Sequence, residues 1–181
     1  MTFPRRLRDN PAYVNYRSEG GRTLYGEDMY VGYRWYDNIE LAPLFHFGHG
    51  LSYTTFAFSS LQLHQDSLSH LVVACDVRNV GSCEGAEVVQ VYISPPQSQN
   101  VRRPVKELKG FSKVYLQPSE QRRVEIVLEL QASTSYWDEC EGMWCSEAGS
   151  YTVMVGNSSG AMSFLTQEFV IGKTSWWRGL K

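Results

Sequence analysis

The chain has no apolar run near the ~18 residues that a membrane-spanning helix requires. Its charged start, Met1-Thr2-Phe3-Pro4-Arg5-Arg6-Leu7-Arg8, has no apolar stretch behind it, so the pattern of a secretory signal is missing and the cellular compartment stays open. Charge of one sign is lacking too. The 17 basic and 19 acidic residues are interspersed, with a formal net charge of −2, which leaves no long-range field to gather nucleic acid or anionic lipid. There is no Gly-rich phosphate loop and no nucleophile elbow. Histidine and cysteine are scarce, at four each. Of the four histidines, His46, His49, His64 and His70, only His46 and His49 have a spacing that two metal ligands can use, but no third ligand is evident, so they read as structural. Cys140-x4-Cys145 lacks the second pair of a zinc site. Cys75, in phase with Leu71, Val73 and Val77, reads as a buried free thiol, and a Cys140–Cys145 bridge around Gly142 is the minor alternative; Cys83 has no assigned role. No cofactor or metal site is expected.

What is present suits one globular domain with an extension. The 181 residues exceed an ordinary domain, and 43% hydrophobic content is enough for a core. Residues 1–50 are rich in Arg, Tyr, Gly and Pro without sustained apolar periodicity. Tyr30, Tyr33, Trp35, Tyr36, Phe45 and Phe47 are too many large rings to leave in water, so this extension needs a surface to lie on. A short helix is expected over residues 27–36.

From Ser52 onward, short apolar runs separated by turn residues predict a β-sandwich of about seven strands. The runs are Tyr53 to Leu63, Leu71 to Val80, Glu87 to Ser94 (stopped by Pro95-Pro96), Leu108 to Leu116, Val124 to Leu130, Tyr151 to Val155 and Phe164 to Ile171, with short segments flanking Gly142. Val124, Ile126, Leu128 and Leu130 alternate with Arg123, Glu125 and Glu129, the period of a half-buried strand. The tail, residues 173–181, carries Trp176-Trp177 and is expected to dock on a surface.

Several blocks carry a resemblance. Residues 25–37 read Tyr-Gly-Glu-Asp-Met-Tyr-Val-Gly-Tyr-Arg-Trp-Tyr-Asp, and Pro43-Leu44-Phe45-His46-Phe47-Gly48-His49-Gly50-Leu51-Ser52-Tyr53 follows. Then come Asn79-Val80-Gly81, Gly85-Ala86-Glu87-Val88-Val89-Gln90-Val91-Tyr92-Ile93, Arg103-Pro104-Val105-Lys106-Glu107-Leu108-Lys109-Gly110-Phe111, Ser135-Tyr136-Trp137-Asp138 and Gly149-Ser150-Tyr151-Thr152-Val153-Met154-Val155-Gly156. In this order they resemble the C-terminal part of the glycoside hydrolase family 3 β-glucosidases, most closely the fungal ones.

The resemblance implies a mainly β fold. An immunoglobulin/fibronectin type III-like β-sandwich, residues 51–172, is preceded by a remnant of an α/β sandwich domain with its linker, residues 1–50. It further implies that the catalytic Asp and Glu of that family lie upstream of everything aligned here, so no catalytic residue is carried over and Met1 stands at an ordinary internal position of the family's second domain. The expected role is that of an accessory region of an enzyme releasing terminal β-D-glucosyl residues, inactive alone and packed against the catalytic domains. The alternative is a free-standing carbohydrate- or protein-binding module.

A glycosidase needs two carboxyl groups across the scissile bond. Glu19, Glu27, Asp28, Asp37 and Glu40 are available in the extension, and Asp138, Glu139 and Glu141 cluster further on. All read as surface or salt-bridge groups. Trp137 and Trp144, weak candidates for stacking on sugar rings, read as core or hairpin packing. Arg103 and Lys106 sit where a loop enters a strand, with contact to the catalytic domains and an ordinary solvated loop as equal alternatives.

Overall fold

The computed structural model describes residues 1–65, 69–96, 101–162 and 164–179. Leu180 and Lys181, the last two residues of the tail, lie outside them. Among the described residues the alternating pattern produces ten strands: β1 (Phe56–Gln65), β2 (His70–Asn79), β3 (Gly85–Ser94), β4 (Glu107–Leu116), β5 (Gln121–Glu129), β6 (Ser135–Asp138), β7 (Met143–Ser146), β8 (Gly149–Gly156), β9 (Leu165–Ile171) and β10 (Ser175–Trp177). Two short helices, α1 (Tyr33–Asn38) and α2 (Leu130–Thr134), accompany them. No helix of the described residues is long and apolar enough to cross a membrane.

The chain divides into two compact units, one formed by Met1–Gly50 with Ser158–Ala161, the other by Leu51–Asn157 with Met162–Lys181. In the larger unit the strands form antiparallel sheets in the orders β1-β2-β5, β4-β3-β8-β9 and β10-β7-β6. Period-two alternation puts Leu71, Val73, Cys75 and Val77 of β2 and Val124, Ile126 and Leu128 of β5 on one inner face. Val89, Val91 and Ile93 of β3, Val114 and Leu116 of β4, and Tyr151, Val153 and Val155 of β8 form the other, and all of them join one buried cluster. This is the fibronectin type III-like sandwich expected from the sequence. Gly110 is part of that packing: a Cβ there would stand 2.7 Å from Leu128 and 2.8 Å from Ile126.

Among the described residues the strands depart from the sequence pattern at Ser60 and Leu130, besides a register shift between Val91 and Tyr92 in the β3–β4 pairing. Ser60, at φ 55°, sits in a bulge that shifts the β1–β2 register between Ser59 and Gln62, and the exposed Arg123 donates to its carbonyl at 3.0 Å. Leu130, expected to end a strand, instead opens α2. Its N–H is taken by Ser69 O at 2.8 Å, and Thr134 Oγ1 donates back to Leu130 O at 2.8 Å.

The smaller unit is held by few strand contacts. Phe3 bridges to Phe45, with Phe3 N donating to Phe45 O at 2.9 Å and Leu44 N to Phe3 O at 2.8 Å. The two rings meet edge to face at 6.2 Å. Ser159 N donates to Phe47 O at 2.8 Å, which ties the 158–161 segment to the extension. The helix expected over 27–36 starts only at Tyr33 and has six residues. Asp28 at φ 52° and Gly32 at φ 58° are left-handed, which α-helical backbone does not accommodate.

Candidate functional site

Two cavities lined by described residues do not bring together a pair of the carboxylates singled out from the sequence. A cavity of about 610 Å³ in the smaller unit, lined by Thr2, Tyr33, Arg34, Tyr36 and Phe47 among others, receives one carboxylate, Glu27. Glu27 Oε2 and Thr2 Oγ1 are buried there without a hydrogen-bond partner among the described residues. A second cavity of about 500 Å³, in the sandwich unit, likewise receives one, Glu129. Glu19 stands in an exposed turn, Asp28 and Glu40 are exposed at positive φ, and Asp37 lies on α1. Asp138 closes the β6–β7 turn by accepting from Cys140 N at 2.9 Å and Glu141 N at 3.1 Å, while Glu139 and Glu141 are exposed.

A general acid at neutral pH needs its carboxyl pKa raised. Glu84 and Glu120 move the other way: the Gln117 side chain lowers Glu84 and the Gln117 backbone N–H lowers Glu120. No cluster of three or more His, Cys, Asp or Glu suited to a metal ion occurs among the described residues. His49 stacks on Phe45 at 5.0 Å, His46 packs over Gly160, and His64 and His70 are exposed on β1 and β2. All four cysteines are free; Cys75 and Cys145 are buried, Cys83 and Cys140 exposed.

The tryptophans form a ladder. Cross-strand register aligns Trp137 of β6 with Trp144 of β7 and Trp144 with Trp177 of β10. Trp144 stacks on Trp177 at 5.8 Å and meets Trp137 edge to face at 5.6 Å, and Trp177 Nε1 donates to Ser135 Oγ at 2.9 Å. Ring faces used on one another are lost to a sugar. The tail therefore docks on the chain's own β7, a pairing hidden in the sequence because three residues are too few to show a period.

Arg103 neither points away from the sandwich nor lies in open solvent. Its Nη2 donates to Thr134 O at 3.0 Å, and its guanidinium lies 5.1 Å from the Tyr136 ring centre and 6.0 Å from that of Tyr151. Burial raises the pKa of Tyr136, Cys145 and Tyr151 around it. Lys106 is buried, with Nζ 5.9 Å from the Phe164 ring centre. Arg103 and Lys106 thus take part in sandwich packing, while Val105 and Phe111 of the same block stay exposed.

A further node was legible only as a turn. Asn79 is fully buried at the end of β2, where its side chain donates to Cys83 O at 2.7 Å and Leu116 O at 3.2 Å and accepts from Gly81 N at 3.1 Å. These geometries describe a braced scaffold.

Residues 87–159 match the fibronectin type III-like domain family. The chain is 51% identical to the probable β-glucosidase I of Aspergillus oryzae over 99% of its own length and 22% of that protein's. Among solved structures, the β-glucosidase of Kluyveromyces marxianus in complex with glucose superposes with a TM-score of 0.91 at 46% identity, across 99% of this chain and 22% of that one. The β-glucosidase of Bifidobacterium adolescentis, from glycoside hydrolase family 3, gives 0.88 at 36% identity, across 94% of this chain and 25% of that one. The chain thus spans about a fifth to a quarter of the length of these relatives.

Proposed function

We propose that this chain works as a structural accessory region of a glycoside hydrolase family 3 β-glucosidase, packed against catalytic domains that hydrolyse terminal β-D-glucosyl residues; its match to the fibronectin type III-like domain and its likeness to part of such enzymes support this reading. The observation that carries this reading is the alignment of 99% of the chain with 22% of proteins named as a probable β-glucosidase I and a β-glucosidase. Its polar groups agree with it: the buried Asn79 and the half-buried Arg103 are used for bracing. In the enzymes it resembles, the region is one part of a larger protein.

Catalysis by this polypeptide alone is not expected, since nucleophile and general acid supply much of the rate of glycoside hydrolysis. The test has two arms. The purified chain is assayed on a chromogenic aryl β-glucoside, where no turnover above blank is expected. A chimera of the Kluyveromyces marxianus enzyme, its matching C-terminal region replaced by this chain, is expected to keep activity and a cooperative melt. Turnover by the chain alone that disappears on mutating one of its carboxylates would overturn the reading, as would a chimera that does not fold.

A further inference from the structure

Between Tyr13 and Tyr25 the smaller unit sends out a hairpin. Gly20 and Gly21 at its tip both lie at positive φ, 57° and 75°, the combination a type I′ turn requires and glycine permits. Glu19 and Arg22 close the turn by exchanging backbone hydrogen bonds of 3.2 and 3.1 Å. At the base, Asn15 N donates to Ala12 O at 3.1 Å. The hairpin leaves its apolar side chains outside: Val14, Tyr16, Leu24 and Tyr25 are 86, 83, 70 and 80% exposed. Four large apolar side chains left in water within a dozen residues, around a turn closed by its own backbone, mark a surface for a partner.

We propose that residues 13–25 are a docking arm that lies on the catalytic part of a family 3 β-glucosidase, an inference that rests on the accessory role proposed above. The occupant follows from length: the matched region is 22% of the relatives, so most of such an enzyme lies outside it and offers the surface. Arg17, Glu19 and Arg22 on the arm are of mixed sign, which suits a protein surface better than a polyanion.

Arg17 and Arg22 also make the arm readable, since both are exposed and trypsin cuts after arginine. In the isolated chain these two bonds are expected to be among the first cleaved. In the chimera with the Kluyveromyces marxianus catalytic domains, cleavage there is expected to slow at least about tenfold. The pair of substitutions Tyr16→Asp and Leu24→Asp is expected to restore fast cleavage in the chimera without changing the melting of the isolated chain.

Equally fast cleavage in an active, cooperatively melting chimera overturns the arm and leaves the accessory role standing. A chimera with neither activity nor a cooperative melt overturns both. A chain that sediments alone as a dimer with the arm protected assigns the surface to a second copy and overturns the inference.

Discussion

The Thr54 hydroxyl donates to Asn79 Oδ1 at 2.5 Å and so ties the entry of β1 to the exit of β2. Around this contact Asn79 also serves two carbonyls and the Gly81 N–H, and its own backbone N–H donates to Glu120 O at 2.9 Å. One side chain thereby joins the β1 entry, the Cys83 turn and the end of β4.

Replacing Asn79 by Ala leaves the Leu116 carbonyl without this partner in a buried contact, at a cost of about 1–3 kcal/mol, and removes the part-buried bonds to Thr54, Gly81 and Cys83 as well. Asn79→Ala is expected to lower the unfolding free energy by about 3 kcal/mol in urea titration, and Thr54→Val by about 1 kcal/mol. A loss under about 0.5 kcal/mol for Asn79→Ala would mean the node is not what joins these turns.

Arg103→Ala is expected to destabilise the isolated chain by about 2 kcal/mol, because a charge-assisted hydrogen bond and the contact with two tyrosine rings are removed together. Arg103→Lys should recover little, since an ammonium does not reproduce the planar stacking of a guanidinium. Unchanged melting of both variants would return Arg103 to a role outside the sandwich.

The thiols separate by burial. Cys83 and Cys140 are exposed and should react at once with Ellman's reagent at pH 8, whereas Cys75 and Cys145 should wait for unfolding. For Cys75, burial pushes the pKa from 9.0 up to about 11. A raised folded-state value gives stability that is fully present below about pH 9 and lost as pH rises toward 11. Tyr136 and Tyr151, also raised by burial, act with the same sign at higher pH. Thermal melts across pH 8 to 11 should fall monotonically, and the Cys75→Ala variant should show a shallower fall; a flat profile would contradict the assignment.

Removing residues 1–50 should leave a sandwich that still melts cooperatively, because its core draws on β2, β3, β4, β5 and β8. The 158–161 segment then loses Phe47 O and His46. Hydrogen exchange at the Ser159 amide should accelerate by at least about tenfold while amides of β3 and β8 keep their protection. Collapse of the shortened chain into aggregates would place part of its core in the extension.

The β-sandwich was legible in the sequence because alternation over seven or more residues, as in Arg123 to Glu129, leaves only one face able to enter a core. The resemblance read from Gly85–Ile93 and Gly149–Gly156 lies on β3 and β8, whose apolar positions form the middle of that core. What the chain does with its isolated polar residues was decided by tertiary structure alone. Asn79 read as turn punctuation, yet its side chain bonds a carbonyl 37 positions away. Arg103 read as equally suited to an interface or to solvent, but turns back onto Thr134, Tyr136 and Tyr151. Periodicity reports which face of an element is buried, whereas a hydrogen bond between distant segments depends on where the fold brings them. The pairing of Ser175–Trp177 with β7 belongs to the same class, since a three-residue strand takes its register from its neighbour.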